Sequence, residues 1–187
     1  TCIRNVVANN IAHDNSNDGM TLFESQSNIL ANNILINNGK HGLRLRNSWD
    51  VTAINTTVTG NAGVGLQVYA TPINDDERDL LLDPYTQRAG IDVIGGTFSK
   101  NVGGSLKFEN FERMGLIGIN IPFMRKTDFR VDLSPFRHEL PDILATNPNG
   151  IEVVRTVQES SAGGIVAEHG TSETETTAPE ESEKESD

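Results

Sequence analysis

Asn17-Asp18-Gly19-Met20-Thr21-Leu22-Phe23-Glu24-Ser25 returns 23 residues later as Lys40-His41-Gly42-Leu43-Arg44-Leu45-Arg46-Asn47-Ser48, and again as Gly63-Val64-Gly65-Leu66-Gln67-Val68-Tyr69-Ala70-Thr71. Upstream of each copy, Asn9, Asn32 and Asn55 fall in register, as do Asn15, Asn38 and Asn61. Self-similarity at one fixed spacing marks stacked repeats rather than a single globular knot. A unit of this size cannot bury an apolar face by itself. It holds short alternating apolar runs, punctuated by Asn and Gly where the chain must turn. The reading is an all-β solenoid, a parallel β-helix. Successive coils then lie about 4.8 Å apart, so like side chains stack on like, and the Asn columns become amide ladders.

The register survives an interruption. Asn101, Leu106 and Phe108 align with Asn61, Leu66 and Val68 after a further 17 residues, which defines a fourth coil over roughly 91–110 and an inserted loop over 72–90. A weaker fifth coil holds Leu116, Ile117, Ile119 and Ile121 and runs out at Pro122, so the coils span 1–123. Residues 124–157 read as a short C-terminal α/β cap. A helix begins at Ser134-Pro135 with Phe136, Leu140, Ile143 and Leu144 as its apolar stripe, and a strand follows at Ile151-Glu152-Val153-Val154. Solenoids need such an end cover.

The net charge of −11 is concentrated in residues 158–187, where nine acidic side chains and one lysine give −8. That Ser/Thr/Glu-rich stretch has too little apolar surface to order itself and reads as a disordered acidic tail. With one cysteine, Cys2, neither an intrachain disulfide nor a thiolate metal cluster is available. No apolar run approaches membrane-spanning length. Nucleic acid is not expected as a partner, and no membrane span is expected. Thr1 opens almost directly into the first coil, and the chain reads as a piece whose earlier coils are missing.

Strand alternation directs Met20 and Leu22 inward and Thr21 and Phe23 outward. One outward ladder is therefore Thr21, Arg44, Gln67, Lys107, and its neighbour is Phe23, Arg46, Tyr69, Glu109. Arginine offers a planar fork for carboxylates, and tyrosine offers an apolar face for a sugar ring plus a hydroxyl. The pattern fits a groove for an extended anionic polymer, although the ladder by itself favours a solvated strand face with scattered charges. His41, just before the Gly column, joins the groove candidates. His13 falls in a turn column with Ile36 and Thr59, and His138 and His169 sit in the cap and tail, where nothing nearby suggests chemistry.

Residues 17–25, residues 41–48 and the segment Arg78-Asp79-Leu80-Leu81-Leu82-Asp83-Pro84-Tyr85 together resemble, in order and spacing, the periplasmic mannuronan C5-epimerases over roughly residues 3–110. The resemblance implies a right-handed β-helix that converts β-D-mannuronate to α-L-guluronate within alginate, an isomerase reaction with no redox cofactor. It also implies periplasmic residence, polymannuronate or alginate as the partner, and association with other alginate secretion proteins. On this comparison Thr21, His41, Arg44, Arg46, Gln67, Tyr69 and Lys107 would contact the polymer. Epimerisation requires a cation on the uronate carboxylate while a base removes the C5 proton from one face and a proton returns to the other. In the family this is associated with an Asp-Pro-His-Asp motif. Here the equivalent slots read Thr21-Leu22-Phe23-Glu24 and the motif occurs nowhere, so no catalytic residue is assigned and the piece alone is expected to be inactive. Asp83-Pro84 belongs to the inserted loop. The Gly-Gly-x-Gly-x-Asp nonapeptides that bind calcium in secreted epimerases are missing from the sequence, so no metal of that kind is expected. A non-catalytic polysaccharide-binding or structural module, or a polysaccharide lyase on the same fold, stays open as an alternative.

Overall fold

The computed structural model describes residues 2–72, 79, 81–82, 86–122, 125, 128–132 and 142–146. Each coil contributes three short strands. The first has β1 (Val6–Ala8), β2 (Ile11–His13) and β3 (Met20–Phe23), and the second has β4 (Ile29–Ala31), β5 (Ile34–Ile36) and β6 (Leu43–Arg46). The third coil has β7 (Val51–Ile54), β8 (Thr57–Thr59) and β9 (Leu66–Tyr69), and the fourth has β10 (Gly90–Ile94), β11 (Thr97–Ser99) and β12 (Leu106–Glu109). Strands β13 (Arg113–Ile117), β14 (Phe129–Asp132) and β15 (Asp142–Thr146) follow.

Every pairing between these strands is parallel, and they stack into three sheets: β1-β4-β7-β10-β13-β15, β2-β5-β8-β11 and β3-β6-β9-β12-β14. The register is the one the repeat dictates. Met20 pairs with Leu43, Leu43 with Leu66, and Leu66 with Leu106 across the insertion. Leu43, Leu45, Leu66, Val68, Leu106 and Phe108 all point into a dry interior, where each large apolar side chain contributes roughly 1.5–3 kcal/mol.

The Asn15–Asn38–Asn61–Asn101 column runs beside this core. Asn38 uses all four of its amide hydrogen-bonding positions. Its Oδ1 accepts from the Asn15 backbone N–H and Nδ2, and its Nδ2 donates to the Ala12 carbonyl and to Asn61 Oδ1. Asn61 repeats the arrangement between Asn38 and Asn101. A buried amide so fully satisfied fixes the register of each coil on the next. Two shorter ladders, Asn5–Asn28 and Asn10–Asn33, are built the same way.

The Asn9–Asn32–Asn55 column does a different job. All three residues have positive φ, near +50°, at an exposed turn, a conformation Asn tolerates better than most residues. The Gly19–Gly42–Gly65 column answers to crowding instead. A Cβ on Gly42 would collide with Val58 Cγ1 and lie 2.9 Å from the Gly65 carbonyl oxygen.

The insertion leaves and rejoins the solenoid at neighbouring points. Asn47 Oδ1 accepts from the Thr71 N–H at 2.8 Å and its Nδ2 donates to the Thr71 carbonyl at 3.0 Å, while the Gly90 N–H donates to the Ser48 carbonyl at 2.9 Å. Coil three therefore hands directly to coil four.

Beyond Pro122, β14 pairs with β12 and β15 pairs with β13, both in parallel register. Ile143 and Leu144, expected on a helical stripe, are instead in a strand. The open edge of β13 supplies backbone partners to all five residues of β15, which overrides the helical spacing. Phe136, Leu140 and residues 151–154 of the expected cap, and the acidic stretch 158–187, lie outside the described residues, as does most of the loop at 72–90.

Candidate functional site

The outer face of the third sheet carries both expected ladders. Strand pairing sets Thr21, Arg44, Gln67 and Lys107 in one column and Phe23, Arg46, Tyr69 and Glu109 in the next, and β14 extends them with Arg130 and Asp132. Six of the seven candidate contact residues, all except His41, thus stand on one surface at rung spacing. Side chains two residues apart on a strand share a face, which is why Arg44 and Arg46 both project outward while Leu45 between them is buried.

Arg44 and Arg46 are held differently. Beneath Arg44 lies Asp18, whose side chain is only 4% exposed, at 2.8 Å from Arg44 Nη2. The same carboxylate accepts the Thr21 hydroxyl at 3.0 Å and the His41 backbone N–H at 3.0 Å. Arg44 keeps 30% of its side chain exposed above this anchor. Arg46 lies over the Phe23 ring at 5.0 Å, a cation–π contact. Nε of both arginines is buried without a hydrogen-bond partner among the described residues. A fixed, incompletely satisfied guanidinium beside an exposed aromatic ring is chemically suited to a carboxylate carried on a sugar.

His41 sits in the turn before β6 and not on a ladder. The Val64 N–H donates to its Nδ1 at 3.0 Å, so the proton of the neutral ring belongs on Nε2. Burial holds its pKa below the ordinary imidazole value. Asp18 pulls it back up, and Arg44 adds to the lowering. An imidazole whose basic nitrogen is already engaged by a backbone N–H is poorly placed as a general base.

On the fourth rung, Lys107 Nζ lies 2.8 Å from Glu109 Oε1, and Gln67 Nε2 donates to Glu109 Oε2 at 3.1 Å. Two expected contact residues are thus tied to a carboxylate of the same face. Sequence reasoning missed the roles of Asp18 and Phe23. The signal for Asp18 was available, because the repeat puts it one rung from His41; Phe23 as a ring under Arg46 follows from the same offset. Among the described residues no group of three or more His, Cys, Asp and Glu side chains is arranged to hold a metal ion.

With this geometry in view, the right handed beta helix region family matches residues 3–74. A mannuronan C5-epimerase of Pseudomonas putida is 35% identical over 108 residues, and one of Pseudomonas syringae pv. tomato is 39% identical over the same length; each alignment covers 58% of this chain. The crystal structure of the periplasmic alginate epimerase AlgG superposes with a TM-score of 0.58 at 30% identity, over 71% of this chain and 28% of that one. The relatives of this chain are mannuronan C5-epimerases. The chain spans about a fifth of the length of these curated relatives, 21% and 20%.

Proposed function

We propose that this chain is part of a mannuronan C5-epimerase and that the outer face of its third sheet binds the polyuronate chain next to the reacting residue. The observation that carries the reading is the pair Arg44 and Arg46 projecting from β6, with Phe23 one rung to one side and Tyr69 one rung to the other, in a chain whose relatives are epimerases. An extended polymer lying along the solenoid axis would meet one rung about every 4.8 Å, so successive carboxylates and sugar faces encounter guanidinium and aromatic groups in turn. Each exposed charge contact contributes only about 0–1 kcal/mol, so affinity comes from several rungs acting together.

In the reaction, carboxylate neutralisation makes the C5 proton removable, and a proton then returns to the opposite face of the sugar. Arg44 and Arg46 supply neutralisation at flanking positions. The sequence has no Asp-Pro-His-Asp, so the base is assigned to another part of a longer protein, and these residues alone bind without turnover. The periplasm, named for the structural relative, is the proposed location, with alginate as partner. No helix among the described residues is long and apolar enough to cross a membrane.

The test is binding to polymannuronate at two salt concentrations, with Arg44→Ala/Arg46→Ala alongside. Salt-sensitive binding that the double variant loses supports the track. Equal binding by a well-folded double variant refutes it. Release of unsaturated ends by the longer protein would assign a lyase instead.

A further inference from the structure

We propose that Glu109 ends the polyanion track, so that carboxylate-bearing sugars are held across β3, β6 and β9 and turned away at β12; this rests on the reading of the outer face as a polyuronate site. Down the second ladder the side chains run Phe23, Arg46, Tyr69, Glu109, Asp132, and the sign of the charge reverses between β6 and β12. The reversal happens on the surface that a ligand would touch. Glu109 projects from the same column as Arg46, with 29% of its side chain exposed.

The contrast with Asp18 is instructive. Asp18 also pairs with a ladder cation, but it lies under Arg44, so the guanidinium remains the outermost group. Glu109 lies beside Lys107 in the outward layer. It holds the lysine through Oε1, the cation that would otherwise continue the track, and accepts the Gln67 amide of the preceding rung through Oε2. A uronate arriving at this rung meets a carboxylate rather than a free cation, and the next rung sets Asp132 on the same column, with Arg130 on the neighbouring one. Like charges at adjacent rungs disfavour a charged sugar there, whereas a neutral hydroxyl-bearing residue meets an acceptor in Glu109 and no penalty. Glu109 is therefore a specificity residue that limits how many consecutive uronates the face takes.

The experiment measures affinity of the full 187-residue chain for oligomannuronates of increasing length, comparing wild type with Glu109→Gln, which keeps the shape and removes the charge. The wild type is expected to stop gaining affinity at a short length. Glu109→Gln is expected to keep gaining, binding the longer oligomers roughly 3- to 10-fold more tightly while leaving the shortest unchanged. An unaltered length dependence in Glu109→Gln, or an equal change at every length, overturns the role of Glu109 while leaving the track intact. No binding of any oligomer by wild type overturns the track reading and this assignment with it.

Discussion

On the inner side of β6, β9 and β12 stand Leu43, Leu66 and Leu106 in one column and Leu45, Val68 and Phe108 in the next, all essentially excluded from solvent. On the outer side of the same strands stand Arg44, Gln67 and Lys107, then Arg46, Tyr69 and Glu109, and no rung repeats the one before it. Both faces share one backbone and one hydrogen-bond ladder. The inner face repeats because every coil has to solve the same packing problem at the same spacing. The outer face is released from that constraint, and its variation is where binding specificity can be written. Asp18 belongs to neither set. Its side chain is shielded from solvent although the residue lies in a partly exposed turn, and it ties that turn to an outer arginine.

The sharpest way to break this division is to damage the interior. Asn61→Leu strands the Asn38 backbone N–H and Nδ2 in a dry site, at roughly 1–3 kcal/mol for each donor, and also removes the partner of the Leu35 carbonyl. Thermal unfolding should show a large loss of stability. An unchanged melting temperature would mean that the Asn column is ornamental. The outer face should behave in the opposite way. Arg46→Ala is expected to change the melting temperature far less than Asn61→Leu, since the cation–π contact it breaks with the exposed Phe23 ring is worth about 0.5–1 kcal/mol, while weakening polymannuronate binding severalfold. A loss of stability comparable to that of Asn61→Leu would erase the distinction between the two faces.

The smallest effect is the response to acid, and it probes the boundary between the faces. The folded state favours neutral His41, so the unfolded chain takes up the proton first. The stability present above about pH 6.5 is then lost as pH falls toward the lower folded-state value. Asp128 follows at lower pH. Burial pushes its pKa up, but hydrogen bonds from Arg125 and Ser105 outweigh that and hold it below the usual carboxylate value. Its contribution is therefore present above about pH 4 and lost below. Melting temperatures followed from about pH 7.5 down to about pH 2 should fall in two stages, and His41→Gln should flatten the first without touching the one below about pH 4 attributed to Asp128.

Much of the solenoid was legible from the repeat, because a fixed offset gives both the pairing register and the inward or outward sense of each side chain. The fourth coil was found across its insertion for the same reason. The strand at 142–146 was not, since Ile143 and Leu144 fit a helical stripe equally well and only the unpaired edge of β13 decides between them. The same offset placed Arg44, Arg46, Gln67, Tyr69 and Lys107 on one face. It could not show which charges would be neutralised, because that depends on side-chain reach. Lys107 bends to Glu109 within its own strand, and Arg44 reaches across to Asp18 in the preceding coil.

The most direct test of the outer face as the binding surface is arginine-selective chemical modification read by mass spectrometry, with and without polymannuronate. The account predicts that polymer protects Arg44 and Arg46 while Arg88 and Arg113, which lie off the third sheet and keep 46% and 43% of their side chains exposed, react at their unliganded rates. Equal protection of all four, or protection of Arg88 and Arg113 alone, would contradict it.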